Sequence, residues 1–298
     1  MVHFKSIAEL TKFVGYHPPE HAYLSLVKVK EARALLTSFP SKVTFGFYTI
    51  GLKKNLKGYL KYGRKHYDFQ EGVLVFTAPG QLISYENLII DESEGWYLFF
   101  DKSLLQKTSL QERFDRYHFF NYGVDEALHL SGNEEDHMSK IFKSLYLEYK
   151  KPIDSLSKSL LVCHLEMLLT YSERYYRRQF TTRNIGDSSL LTNFEKVLDD
   201  LCSVSSLENR GIPSVKDVSD KMNFSPNYLS DSIKSITGMG VQKHIHFRLI
   251  DLAKERLLSN SSSISEVAYG LGFESHTYFS RLFKQIEGKS PKEFLSIN

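Results

Sequence analysis

The chain has 298 residues, with 38 Lys and Arg against 35 Asp and Glu, a formal charge of +3. That balance alone selects neither nucleic acid nor membrane as a partner, and the length allows two domains, each with its own core. No run of 18 apolar residues occurs, and Met1-Val-His-Phe-Lys-Ser6 lacks a basic region followed by an apolar core; neither a membrane span nor a secretory signal is expected. Cys163 and Cys202 lie in apolar, helical-looking stretches and read as buried free thiols of a reducing cytoplasm.

Taken in chain order, Ser6 caps a short helix that starts at Ile7-Ala-Glu-Leu10, and Tyr23 to Lys30 resembles a strand. Short strands follow to about residue 100, among them Val43 to Ile50, Gly72 to Phe76 and Trp96 to Phe100, separated by glycines and Pro79-Gly80. Strands at this spacing predict a small sandwich or barrel. At Ser131 the apolar period becomes helical. Ser131 and Glu134 form a capping-box pair, and Met138, Ile141, Phe142, Leu145 and Tyr149 line one face. After Pro152 a second helix is predicted from Leu156 to about Arg178. Residues 179–189, rich in Thr, Ser, Asn and Gly, read as a linker between a domain at 1–178 and another at 190–298.

The second domain carries one pattern twice. Ser225, Tyr228, Ser230, Lys234, Ile236 and Gly238 recur fifty residues later as Ser275, Tyr278, Ser280, Lys284, Ile286 and Gly288. The apolar stretch before each copy, Val215-Val218-Met222-Phe224 and Ile264-Val267-Leu271-Phe273, repeats with an offset of 49, so Glu274 is one extra residue in the second turn. A short helix, a turn and a capped helix, repeated, predict two helix-turn-helix modules. Val241 to Leu258 reads as one long helix joining them. In each capped helix the residues at i, i+4, Leu229 and Ile233 or Phe279 and Phe283, face the core. Asn227, Ser230, Asp231 and Lys234 then face outward in the first helix, as do His276, Thr277, Ser280, Arg281 and Lys284 in the second. A helix lying in the major groove presents such residues to base edges. Arg281 suits guanine O6 and N7, Thr277 a thymine methyl, and Lys284 a phosphate. The bland alternative is a pair of ordinary solvated helix faces. From Arg210 onward only 12 Lys and Arg stand against 9 Asp and Glu, a mild balance for a DNA binder.

The sequences Ile264-Ser-Glu-Val-Ala-Tyr-Gly-Leu-Gly-Phe273, Ser275-His-Thr-Tyr-Phe-Ser-Arg-Leu-Phe-Lys284, Gly288-Lys-Ser-Pro291 and Arg248 to Leu258 closely resemble the signature of AraC/XylS-type transcription regulators. The resemblance covers about 190–296. It implies a seven-helix domain that reads two successive major-groove segments of double-stranded DNA, with base contacts from Asn227, Ser230 and Asp231 and from His276, Thr277, Ser280 and Arg281. It also implies RNA polymerase as a partner, with activation the commoner outcome. Ser219 stands where the second module has Ala268, Ser232-Ile233 replaces a usual Leu-Phe pair, and Asp231 replaces a frequent Arg. A carboxylate there would repel phosphate or accept from cytosine N4, so the first module is expected to read DNA more weakly or differently.

Tyr59 to Phe69, Gly72 to Gln81 and Glu126 to Ser131 are similar to the sensor halves of AraC-type regulators of Bacteroidetes-like bacteria. That likeness implies an α+β chain: a cupin-like β-barrel, a helix pair that forms a homodimer, and the all-α reader. Phe45, Phe47, Tyr59, Tyr62, Phe76 and Trp96 are candidates to line a pocket for a small-molecule effector, the alternative being a plain β core. A metal-dependent cupin enzyme is the competing class. It needs three or more His and Glu ligands on neighbouring strands, and the strand region offers only His66. His244 and His246, two apart on a helix, point to different faces. No nucleophile elbow, phosphate loop or Cys-x-x-Cys is present. The expectation is a cytoplasmic DNA-binding protein without catalytic residues, metal or cofactor, or else a relative that has kept this fold to bind a protein partner.

Overall fold

The computed structural model describes residues 1–31, 39–54, 72–84, 94–123, 126–186, 189–258 and 263–297. They form two compact units, Met1–Gln179 and Phe180–Asn298.

In the first unit, β1 (Val2–Phe4) runs parallel to β3 (Lys42–Phe45), and β6 (Ile83–Ser84) pairs antiparallel on the other side of β3. The helix α1 (Ile7–Phe13) follows β1. Its cap is the expected Ser6, whose Oγ accepts from the Glu9 amide at 3.2 Å. A larger sheet holds β2 (Leu24–Lys28), β7 (Glu94–Phe100), β4 (Tyr48–Lys54), β5 (Val73–Thr77) and β8 (Leu128–His129), in the order β2-β7-β4-β5-β8 with antiparallel pairing throughout. Among the described residues these are two open sheets, and no closed barrel forms; in this respect the cupin-like barrel expectation is not met. The run expected as one strand from Val43 to Ile50 is broken, because the chain passes from one sheet to the other at Gly46. There the amide donates to Phe4 O at 2.8 Å, and a Cβ would lie 2.6 Å from Lys5 O.

Strand alternation gives the large sheet two faces. One carries Phe76 and Trp96 toward helical elements. Phe76 lies 4.4 Å from Phe119 and 6.1 Å from Tyr176, and Trp96 5.2 Å from Tyr146, between ring centroids. The opposite face carries Phe99 toward Phe45 of the small sheet and Phe47 of the bend after it, at 6.4 and 5.9 Å. After a short helix α2 (Leu110–Arg113), two long helices follow, α3 (Gly132–Tyr149) and α4 (Ser157–Gly186). The Ser131 amide donates to Glu134 as expected. Glu134 in turn accepts from Arg178 Nε and Nη2 at 3.1 and 2.7 Å, so Arg178 is anchored and does not form a solvated helix end.

Two expectations are corrected here. The stretch expected as an irregular linker is helical through 186, as the end of α4, and the two units divide at its start. Its polar composition is overridden by tertiary contacts: Gln179 donates to Ala127 O and accepts from the His129 amide, while Tyr175, Tyr176 and Phe180 are buried. Cys202 is buried but Cys163 is exposed on α4, where helical phase turns it outward.

The second unit contains eight helices among the described residues, one more than the resemblance implies: α5 (Ser189–Leu201), α6 (Val204–Arg210), α7 (Val215–Met222), α8 (Pro226–Thr237), α9 (Val241–Leu258), α10 (Ile264–Gly270), α11 (His276–Glu287) and α12 (Pro291–Ile297). They share one core, which includes Phe194, Leu229, Ile233, Leu249, Ala253, Phe279 and Phe283.

Candidate nucleic-acid interface

Each module is built from the same local devices. Ser214 and Ser263 cap α7 and α10, and both form complete capping boxes, with Asp217 and Glu266 respectively. The Ser214 hydroxyl and amide hold the Asp217 carboxyl below its ordinary value, and the Ser263 amide and hydroxyl do the same for Glu266. The turn that follows needs a left-handed residue. Asn223 (φ 58°) supplies it in the first module and Gly272 (φ 82°) in the second. These positions are 49 apart, and the extra Glu274 comes after them. Ser225 Oγ then accepts from the Tyr228 amide at 3.3 Å, and Ser275 Oγ from the Tyr278 amide at 3.4 Å. Both helices end on a left-handed glycine, Gly238 or Gly288, whose amide donates at 2.9 Å to the carbonyl of Lys234 or Lys284.

The helix α9 packs against both α8 and α11. Lys254 Nζ bridges Asp251 at 2.7 Å and Glu287 at 2.9 Å, and Arg248 Nη2 meets Asp199 at 2.9 Å. The turn into α9 is closed by Thr237 Oγ1. It accepts from the Met239 amide at 3.2 Å and lies 2.9 Å from His244 Nε2. Burial lowers the His244 pKa, which favours the neutral ring in that turn. Two capped helices are thereby fixed on a common core.

The structure places every proposed reading residue away from that core. Asn227, Lys234, Thr277, Arg281 and Lys284 are exposed, and Ser230, Asp231, His276 and Ser280 are half-buried. Leu229, Ile233, Phe279 and Phe283 are fully buried, as their spacing predicts. The two modules differ at their shared tyrosine. Tyr228 is 2% exposed, with its ring 5.2 Å from Phe180 and 5.4 Å from Phe224. Tyr278 is 39% exposed, and the Arg281 guanidinium carbon lies 5.6 Å from its ring centroid. A cation over an aromatic face is held there, so Arg281 is pre-positioned; the i, i+3 spacing of Tyr278 and Arg281 is the sequence signal for it. The departures at Ser219 and Ser232 are core features. Ser219 is buried and its hydroxyl donates to Lys216 O at 2.9 Å. Ser232, at the position of Leu282, is buried without a hydrogen-bond partner among the described residues. The first module thus buries a hydroxyl without a partner among the described residues where the second buries Leu282, which is a cost to it.

Among the described residues no group of three or more His, Cys, Asp or Glu is placed to hold a metal. Among the described residues no helix is long and apolar enough to cross a membrane. Of the pocket candidates, Phe45 and Phe47 lie between the two sheets, and Phe76 and Trp96 lie against helical elements; Tyr59, Tyr62 and also His66 fall outside the described residues.

Residues 218–296 match the family model of a helix-turn-helix domain. The matched residues thus form a helix-turn-helix domain of the AraC type. Over 84 residues the chain is 33% identical to the HTH-type transcriptional regulator YisR of Bacillus subtilis, a match covering 28% of this chain and 29% of that one. Over 267 residues it is 24% identical to the HTH-type transcriptional regulator YfiF of the same organism, covering 84% of this chain and 77% of the relative. The xylose operon regulatory protein of Escherichia coli K12 is 26% identical over 122 residues, 41% of this chain and 29% of that protein. The alignment thus spans less than a third of YisR and of the xylose regulator. The two capped helices, α8 and α11, both fall within the matched residues.

Proposed function

We propose that the intact chain is a sequence-specific transcription regulator whose recognition helices read two successive major-groove segments. The observation that carries this reading is the matched pair of capped helices on one core, each with its polar face outward. Base readout comes mainly from His276, Thr277, Ser280 and Arg281. Asn227, Ser230 and Asp231 contribute in the first module, and Lys234 and Lys284 contact phosphate. The protein acts in the cytoplasm beside RNA polymerase.

The N-terminal unit is its sensor, a cupin-like pair of sheets with a small-molecule effector site, and α4 is its self-association surface. In support of a homodimer, α4 exposes Leu160 and Met167, and Leu156 just before it is exposed too, near a groove of ≈ 580 Å³ lined by Cys163, Glu166, Thr170, Tyr171 and Arg174.

The roles of Arg281 and Lys284 separate in one experiment. Arg281→Ala is expected to weaken binding to a selected site about 10- to 100-fold while changing binding to random duplex little. Lys284→Ala should weaken both alike and reduce the salt dependence. Titration of labelled duplexes at two salt concentrations reads both. Equal losses on specific and random DNA for Arg281→Ala would remove it from base readout.

A further inference from the structure

The face of the large sheet turned toward Phe45 and Phe47 mixes Val27, Val73 and Val75 with several polar residues. Cross-strand register places Ser25, Thr49, Lys53, Thr77, Tyr97 and Phe99 on it together: Ser25 and Thr49 both pair with Phe99, Thr49 pairs with Thr77, and Gly51 pairs with Tyr97. Lys53 is only 4% exposed and, among the described residues, has no ion pair or hydrogen bond; its Nζ lies 5.8 Å from the Tyr97 ring centroid. The Tyr97 ring lies across Gly51, where a Cβ would meet it at 3.2 Å. Ser25, Thr49 and Thr77 are 1%, 7% and 2% exposed, and none makes a hydrogen bond to another described side chain. Tyr97 and Phe99 nevertheless keep part of their surface accessible, although Phe99 faces the other sheet.

Buried ammonium groups are ordinarily paired, because desolvation without a counter-charge is costly. Burial alone lowers the Lys53 pKa to about 8. Here the amine shares one sheet face with three hydroxyls, and no acceptor for its charge is found among the described residues. We propose that this face of the large sheet, around Lys53, binds a small organic anion, with Lys53 pairing its charged head and the aromatic side chains receiving an apolar body. One lysine, with no second Lys or Arg on this face among the described residues, matches a singly charged carboxylate better than a phosphate dianion. His129, paired with Val73, sits at the far edge of the same face. The proposal rests on reading the N-terminal unit as the sensor, and it names the ligand class of that sensor.

The test uses the intact protein and two fluorophores of one skeleton, anionic 1-anilinonaphthalene-8-sulfonate and neutral N-phenyl-1-naphthylamine. Expected are saturable binding of the anion and at least a tenfold preference for it over the neutral compound. Lys53→Met should abolish the preference while the neutral compound binds as before. The wild-type preference needs no variant, and a melting curve checks that Lys53→Met is folded. Equal affinity for the two fluorophores, no saturable anion binding, or a preference that survives Lys53→Met overturns the site. The sensor reading is tested separately, by DNA titration with and without the anion. Saturable Lys53-dependent binding that leaves DNA affinity unchanged would refute the sensor role and keep the site.

Discussion

Gly272→Ala is expected to destabilise the C-terminal unit by about 3 kcal/mol, as the sum of a left-handed backbone cost and a steric one. Gly272 sits at φ 82°, and an added Cβ would lie 2.9 Å from Gly211 Cα and 3.0 Å from Gly211 C and Ile212 N. All three neighbours are backbone, so no rotamer change relieves the overlap. Gly211 is itself held at φ 74°, which leaves that loop little freedom to retreat. The helix-turn-helix turn of the second module is thereby packed directly on the loop after α6. Gly238→Ala is the control. It has the same backbone problem at φ 77° but open space around it, and should cost only about 1 kcal/mol. Urea unfolding followed by circular dichroism compares the two; equal shifts in midpoint would mean that the glycine-on-glycine contact is not made in solution.

The stability of the N-terminal unit should rise between pH 8 and pH 10. Lys53 has its pKa lowered by burial to about 8 from the ordinary 10.5. Between those values the unfolded chain holds a proton that the folded chain has released, so folding becomes more favourable as pH rises. The full effect is on the order of 3 kcal/mol. Tyr97 acts in the opposite sense at higher pH. Burial raises its pKa to about 12 from 10.0, so stability is lost again as pH passes above 10. Stability should therefore peak near pH 10. Lys53→Met should be more stable than wild type at pH 7 and should lack the rise. Denaturant midpoints at pH 7, 8, 9 and 10 decide this, and a variant that tracks wild type throughout would show that Lys53 is solvated.

The two halves of the chain differed in how much their sequence disclosed. In the reader, helix caps and core positions are local and repeated, so the offset of 49 and the extra Glu274 located both turns, and Val241–Leu258 was found with its observed bounds. Asn223 was the overlooked element there. Its equivalence to Gly272 signalled a left-handed position in advance. In the N-terminal unit the deciding contacts join distant residues. Gly46 interrupts a strand-like run because of a carbonyl forty-one positions earlier, at Lys5. Residues 179–186 have the composition of a linker, yet Gln179 is tied to residues near 128. Lys53 stands in a Lys53-Lys54 pair at the end of an apolar run, as a solvent-facing residue would, and only the fold reveals that it is buried. Trp96 and Phe76 looked equivalent to Phe45 and Phe47 as pocket residues, but strand phase sends the two pairs to opposite faces of the large sheet.

The central claim is tested most directly by selecting bound fragments from random duplex DNA with the intact protein at low and raised salt, then sequencing them. The expected result is a motif with two half-sites about one helical turn, roughly 10 bp, apart, with the stronger base preference in the half-site read by the second module. Recovery of that motif as a repeat would be the signature of a dimer. Enrichment of no motif at either salt, with the protein folded, would contradict the account and favour a chain that has kept this fold to bind a protein partner.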